Sequence, residues 1–267
     1  MGEELMRCWL NRWCLSGIIT LIVVAGCADN LKMRKQQSEV TRNIGEAFLI
    51  EGNFTAALKK LLEAEKIYPD DPVLQNYLGL AYQAKEHYQE AVTHYKKALA
   101  IQPDYAPAHN NLGAAYLKMD EWDAAIDVFK KLSTDILYST PHFADLNLGW
   151  AYYNKRDYAT SADYYQKVIK YYQDGFAKDL VFVKALRGLG KTYLATGNIG
   201  KAEKTMEEAL SLAPDFPPLV MDVARIRETL GKREQAIAAY RKVIEVTPDS
   251  ELGVEAEKAL SVLAPAE

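Results

Sequence analysis

The chain has 267 residues, 49% hydrophobic and 25% charged, the proportions of an ordinary folded protein. Its formal charge of −4 gives no general attraction to nucleic acid, which needs a basic surface. The three cysteines, Cys8, Cys14 and Cys27, all precede residue 28, which excludes a disulfide framework, a thiolate metal site and a cysteine nucleophile from everything after it.

The N-terminus reads as a targeting segment. Residues 15–24 form one short apolar run, flanked by Arg7 and Arg12. A bilayer span needs about 20 apolar residues, so this run is a signal-peptide core rather than a transmembrane helix. Glu3 and Glu4 fit poorly in a positive flank, and Met6 is the expected start of translation. The run ends in Val24-Ala25-Gly26-Cys27, which resembles the lipobox of bacterial lipoproteins. That resemblance implies cleavage before Cys27 and a lipid on its thiol, with 1–26 removed. Several acyl chains at ~0.8 kcal/mol per buried methylene make such an anchor effectively permanent. By resemblance to the sorting rule, Ala28 rather than Asp after the cysteine implies delivery to the outer membrane, facing the periplasm. Residues 28–37 are expected to form a polar tether, reaching at most about 35 Å when extended.

The body shows an internal period. Gly45, Gly79 and Gly113 are 34 residues apart, each preceded by Ile44, Leu78 or Leu112 and followed three residues on by Phe48, Tyr82 or Tyr116. Ala57, Ala91 and Ala125 recur at the same interval, then Leu61, Tyr95 and Phe129 four residues later. Pro69 and Pro103 close the first two units. The pattern continues in Leu148-Gly149, Tyr152 and Tyr165, with Ser161 in the alanine position. It returns in Leu189-Gly190, Tyr193, Ala202, Ala209 and Pro214, and more weakly in Val223-Ala224, Ala236, Tyr240 and Pro248. These residues resemble the tetratricopeptide (TPR) repeat, a pair of antiparallel helices that buries its apolar face only by stacking on neighbours. The expected fold is all-α, a right-handed superhelical solenoid of about six helix-pair repeats. The units are 38–71, 72–105, 106–141, 142–182, 183–216 and 217–250, and 251–267 supplies a capping helix and tail. Leu252, Ala256, Leu260 and Leu263 share one face of that helix.

Pro-Asp at 69–70, 103–104, 214–215 and 248–249 is expected to break one helix and cap the next. The spacing stretches to 36 residues from Gly113 to Gly149 and to 41 from Gly149 to Gly190. The first interruption, Leu137-Tyr138-Ser139-Thr140-Pro141, reads as a loop. The second is expected to lengthen a helix by about two turns around 170–182.

Chemistry-bearing motifs do not survive this frame. Ala185 to Thr192 matches a relaxed phosphate-loop pattern, with Lys191 and Thr192 in the nucleotide-binding places. A phosphate loop needs a preceding strand and free amides, whereas Leu189-Gly190 and Tyr193 are the repeat signature inside a helix. His87, His94, His109 and His142 have no metal-ligand spacing and are expected to be solvated or groove-facing. Tyr153, Tyr164 and Tyr171 are not required by the repeat and are candidates for a contact surface. The reading is of a protein without catalytic activity, cofactor, metal, nucleotide or nucleic acid.

A solenoid of this kind binds partners on the face lined by the first helix of each pair. Those positions bring Asn76 and Leu80, with Val73 and Gln83 beside them, then Asn110, Asn111 and Leu117. They continue with Asn147, Trp150 and Tyr153, joined by Phe143 and Leu146, and with Arg187 and Lys191, joined by Lys184, Met221 and Arg225. The predicted groove is apolar, with an asparagine ladder in its middle and positive charge toward its C-terminal end. Asparagine amides bond an extended backbone, and Trp150 offers an apolar anchor.

Six such repeats behind a lipobox resemble the PilF/PilW/Tgl family of type IV pilus biogenesis lipoproteins. The segment Leu137-Tyr138-Ser139-Thr140-Pro141, followed by Asn147-Leu148-Gly149, carries the more specific part of that likeness. The resemblance implies a periplasmic helper that binds pilus secretin subunits and promotes their localisation and oligomerisation. Scaffolding of outer-membrane protein insertion, of peptidoglycan synthesis, or of an exopolysaccharide or secretion system stays open as an alternative.

Overall fold

The computed structural model describes residues 30–135, 138–175 and 177–263, and its regular elements there are thirteen α-helices. Helix α1 covers 30–50. It is followed by α2 (Phe54–Ile67), α3 (Pro72–Ala84), α4 (Tyr88–Ile101), α5 (Ala106–Lys118), α6 (Trp122–Thr134) and α7 (Pro141–Asn154). Then come α8 (Tyr158–Gln173), α9 (Leu180–Ala195), α10 (Ile199–Leu212), α11 (Pro217–Thr229), α12 (Arg233–Val246) and α13 (Glu251–Leu263). Odd-numbered helices open each of six pairs as A helices, even-numbered ones close them as B helices, and α13 follows as the cap. No helix among the described residues is long and apolar enough to cross a membrane. Cys27 and the apolar run before it lie outside them.

Each A helix stops in the same way. Residues 52, 86, 120, 156, 197 and 231 all have positive φ, between 58° and 75°. The next amide bonds back five residues, as from Asn53 to Phe48, His87 to Tyr82, Asp157 to Tyr152 and Asn198 to Tyr193. This closure satisfies carbonyls that the helix end would orphan and turns the chain into the B helix. Three of the six turn residues are glycine; Glu86, Asp120 and Arg156 adopt the left-handed conformation with a side chain.

Pairing of A and B rests on the signature glycine and the residue 16 positions later. A methyl group placed on Gly45, Gly149 or Gly190 would come within 2.7 Å of Leu61, 2.8 Å of Tyr165 or 2.6 Å of Met206. The helices thus touch backbone to side chain, and only glycine leaves room. Each of those large residues is almost wholly buried, contributing roughly 1.5–3 kcal/mol of apolar burial.

The chain divides into two compact units after Ala115, within α5. In the first, Leu61, Ala64, Leu74, Leu78 and Ala81 form a core between α2 and α3. In the second, a cluster from Tyr165 to Ile226 joins α8 through α11. A further cluster around Met221, Tyr240 and Val243 takes in Ala256, with Leu252, Leu260 and Leu263 of α13 against it. The cap therefore packs through the face its sequence marks.

Several expectations are corrected. The residue that caps α3 is Asp71, whose carboxylate accepts from the amides of Val73 and Leu74, not Asp70 of the Pro-Asp pair. Helix α11 starts after Phe216 with no side-chain cap, and Asp215 instead pairs with Lys242 at 3.0 Å. The long spacing after Gly149 does not extend one helix by two turns. Helix α8 ends at Gln173, Gly175 takes φ 121°, and Asp179 caps a new helix from Leu180. The unit boundary at 182/183 thus falls inside the first turn of α9. Residues 30–37 are the opening turns of α1 rather than extended tether, and Arg34 there donates to the carbonyl of Ile67.

Candidate partner-binding surface

In the first unit, the predicted asparagine ladder is partly a strut. Asn111 donates from Nδ2 to Oδ1 of Asn76 at 2.9 Å, joining α5 to α3. Asn76 is only 3% exposed, so it serves packing more than recognition. Gln83 accepts from the buried Tyr95 hydroxyl at 3.0 Å. Leu80, Val73 and Asn110 are half-buried, and the Asn110 amide has no hydrogen-bond partner among the described residues. Leu117, which belongs to the second unit, is half-buried on the last turn of α5.

The second unit carries the more developed surface. On α7, Phe143, Leu146, Asn147, Trp150 and Tyr153 recur at helical spacing and share one stripe. Phe143 is 40% exposed and Trp150 38%. The Trp150 and Tyr153 rings stack in parallel, centroids 5.9 Å apart at 10°. Lys191 of α9 places its Nζ 5.2 Å from the Trp150 ring and 5.3 Å from the Tyr153 ring. Such a cation over a partly desolvated aromatic pair is worth about 0.5–2 kcal/mol. Burial pulls the Lys191 ammonium below its usual range, against the pull of Asp222 and with the push of Arg187 and Arg225. Burial also raises the Tyr153 phenol.

Beyond α9 the charges pair off. Arg187 Nε donates to Asp222 of α11 at 2.6 Å, and Arg225 lies 3.7 Å from the same carboxylate. Arg225 also reaches Glu255 of α13 at 2.6 Å. Asp222 is 8% exposed, so its two arginines supply the charge that a buried carboxylate requires. Asp222 and Glu255 were missed in sequence; they stand three residues before and thirty after Arg225, on α11 and α13. Met221, predicted for the groove, is core at 1% exposure.

The phosphate-loop mimic is an interior stretch of α9. Gly188 faces the Tyr165 ring, and Thr192 donates to the Gly188 carbonyl at 2.9 Å. Ser161 donates to the Gly149 carbonyl at 2.8 Å and lies 3.2 Å from the Thr192 hydroxyl, which explains a polar residue in the alanine position. Two histidines expected to be solvated or groove-facing are instead packed. His94, 7% exposed, donates from Nδ1 to Gln75 at 2.7 Å and stacks on Tyr82. His142, also 7% exposed, stacks on Tyr171 at 4.2 Å. His109 sits 2.8 Å from the Pro103 carbonyl, and His87 is exposed. Tyr164 stacks on Tyr152 within the repeat, so of the three extra tyrosines only Tyr153 joins the A-helix stripe. Among the described residues no group of three or more His, Cys, Asp or Glu side chains forms a metal site.

Helix pairs stacked through small residues, with an open A-helix face, define a repeat protein built to hold other chains. Models of the tetratricopeptide repeat match residues 84–120, 108–138, 145–217 and 219–250. The chain is a tetratricopeptide-repeat protein. Superkiller complex protein 3 of mouse and human is 29% and 30% identical over 100 residues, 38% of this chain but only 6% of those relatives' length. Among solved structures, PilW, described as a widely conserved type IV pilus biogenesis factor, superposes with a TM-score of 0.71 at 20% identity, covering 82% of this chain and 98% of that one. PilF of Pseudomonas aeruginosa gives 0.66 at 18% identity, covering 85% and 99%. A repeat protein of Parabacteroides merdae gives 0.70 at 19% identity, covering 85% and 86%. At these identities the likeness concerns the fold.

Proposed function

We propose that this chain is a non-catalytic scaffold, lipid-anchored through Cys27 to the outer membrane, that binds pilus secretin subunits and assists their localisation and oligomerisation. The observation that carries a binding role is the stripe on α7, where Trp150 stays 38% exposed while stacked on Tyr153 and capped by Lys191. A large aromatic held rigid at a surface loses little entropy on capture, and such residues concentrate binding energy. The lipobox at 24–27 and the likeness in fold to PilW and PilF support the pilus assignment.

Two variants test the proposal together. Cys27→Ala should keep the protein from outer-membrane fractions and remove the acyl mass. Trp150→Ala with Asn147→Ala should lose about 2 kcal/mol or more of partner binding. Secretin multimers should then fall while the variant's own abundance holds, with melting lower by no more than the few degrees that loss of the Lys191 contact costs. Unchanged multimers beside a stable variant would remove the secretin from this surface, and unchanged fractionation and mass would remove the anchor.

A further inference from the structure

Helix α1 carries core residues that enter no core. Counted from the signature glycine, Ile44 corresponds to Leu78, Leu112 and Leu148, none more than 5% exposed. Val40 corresponds to Leu74, Ala108 and Ala144, each at 0%. In α3 the two positions pack on Leu61 and Ala64 of the helix before. On α1 they stand open, Ile44 at 43% and Val40 at 57%, and Met33, at 71%, continues their line two turns nearer the N-terminus. The helix is held in this rotation from another side. Arg34 donates to the Ile67 carbonyl at 2.6 Å, Ser38 donates to the Ala64 carbonyl at 2.9 Å, and Gly45 abuts Leu61. At about 100° per residue these positions lie roughly a third of a turn from the Met33–Ile44 line, which therefore faces where α2 is not.

The helix is also longer than its repeat requires. Helix α3 begins at Pro72, seven residues before Gly79, whereas α1 is already helical at Asn30, fifteen before Gly45. The additional turns, residues 30–37, contain Lys32, Arg34 and Lys35 and no carboxylate, in a chain that is acidic as a whole at −4. Arg34 meets a carbonyl, and the Lys35 ammonium lies 5.0 Å from the Tyr68 ring centre. Both are neutral groups, so the positive charge of these turns is kept. Lys32 and Lys35 are exposed.

We propose that α1 lies along a phospholipid surface, with Met33, Val40 and Ile44 entering the interface and Lys32 and Lys35 meeting anionic headgroups. A helix with one apolar line and flanking cations is suited to that position. The inference rests on the anchor at Cys27, which brings the helix there. Three residues from Cys27 to Asn30 span at most about 11 Å. Three more along the helix bring Met33 to within roughly 15 Å of the lipid-bearing residue. Tethered so closely, the line meets the bilayer at high effective concentration, and a contact too small to hold a free protein suffices.

The test supplies the attachment chemically. The mature chain has Cys27 as its one thiol, and it is coupled there to maleimide-headgroup lipid in vesicles of phosphatidylethanolamine and phosphatidylglycerol with brominated acyl chains. Met33→Trp and Val40→Trp should each add tryptophan emission that the bromine quenches strongly. Glu63→Trp, exposed on α2, should add emission that it does not quench. In an uncoupled Cys27→Ser chain, Lys32→Gln with Lys35→Gln should weaken binding to the same lipids about tenfold or more, and high salt should weaken it likewise. All of these positions but Cys27 are exposed ones, so melting should not change. Absence of quenching at 33 and 40, or equal quenching at 63, would overturn the proposal and leave the anchor standing. A dimer in sedimentation that Val40→Asp abolishes, with neither tryptophan quenched, would give the face to a second copy. The anchor is read separately, from the acyl mass of the protein made in cells, and its absence would remove the ground the proposal rests on.

Discussion

Tyr165 is the pin between α7 and α9, and Gly188→Ala is the sharpest way to disturb it. The ring is 2% exposed and lies between two glycines of different helices. A methyl group on Gly188 would sit 2.7 Å from the phenol oxygen and closer still to two ring carbons. Retreat is blocked, because on the other side a methyl on Gly149 would lie only 2.8 Å from the same ring. Overpacking of this kind costs about 1–3 kcal/mol. Alanine in place of glycine in a helix interior returns about 1 kcal/mol, leaving a net loss of up to about 2 kcal/mol. For a chain of this size each kcal/mol moves the melting temperature by about 2–4 °C. Thermal circular dichroism should therefore show a drop of several degrees, and hydrogen exchange should place the loosening in α7–α9 because repeat arrays need not melt as one. Adding Tyr165→Met should recover most of the loss, since Met206 fills the same place against Gly190 in the next repeat. A single variant that melts at or above the parent temperature would refute the reasoning: the ring would then have yielded, and the helix propensity of alanine would have won.

The left-handed turn residues give a second prediction. Glu86→Gly and Arg156→Gly should each stabilise by about 0.5 kcal/mol, as relief of a strained φ near 63° outweighs added unfolded-state freedom; lower melting in both would mean that these side chains hold the turns. The third concerns pH. His94 and His142 are held below the ordinary imidazole value chiefly by burial, so both stay neutral when folded. Below about pH 6.5 the unfolded chain takes protons that the folded chain refuses, so stability falls with pH from there toward the depressed folded values, by up to about 1.4 kcal/mol per pH unit for each site. Urea unfolding between pH 7.5 and 5 should show a flatter slope in His142→Phe than in the parent, and an equal slope would acquit His142.

Much of this architecture was legible because its physical cause is periodic. Gly79 and Tyr95, or Gly149 and Tyr165, stand a fixed 16 residues apart because one must make room for the other. The left-handed turns were harder to see, since Glu86, Asp120 and Arg156 give no sign of positive φ. What marks them is only their interval from Gly52, Gly197 and Gly231, which do. The cap of α3 was misplaced by one residue, from Asp70 to Asp71, because two neighbouring carboxylates compete and only backbone geometry chooses. His94 and His142 were misread because a lone histidine carries no mark of burial; ring stacking on Tyr82 and Tyr171 decides it.

The proposed binding face was half legible for a different reason. Counting positions within the repeat brought Trp150, Tyr153, Arg187 and Lys191 to one set, but counting cannot say which of them use each other. Lys191 lies over two rings and Arg187 is paired with Asp222, so two cations about one turn apart on α9 do different work. The irregular spacing after Gly149 matters here as well. Extra residues accumulate where the signature makes no demand, and here they are used to end α8 at Gln173 and begin α9 early, at Leu180. That early start adds Leu180 to the line of Lys184, Arg187 and Lys191, which lengthens the surface α9 offers without altering the packed positions below it. An insertion placed in this way changes the exposed face of the repeat and leaves intact how it stacks.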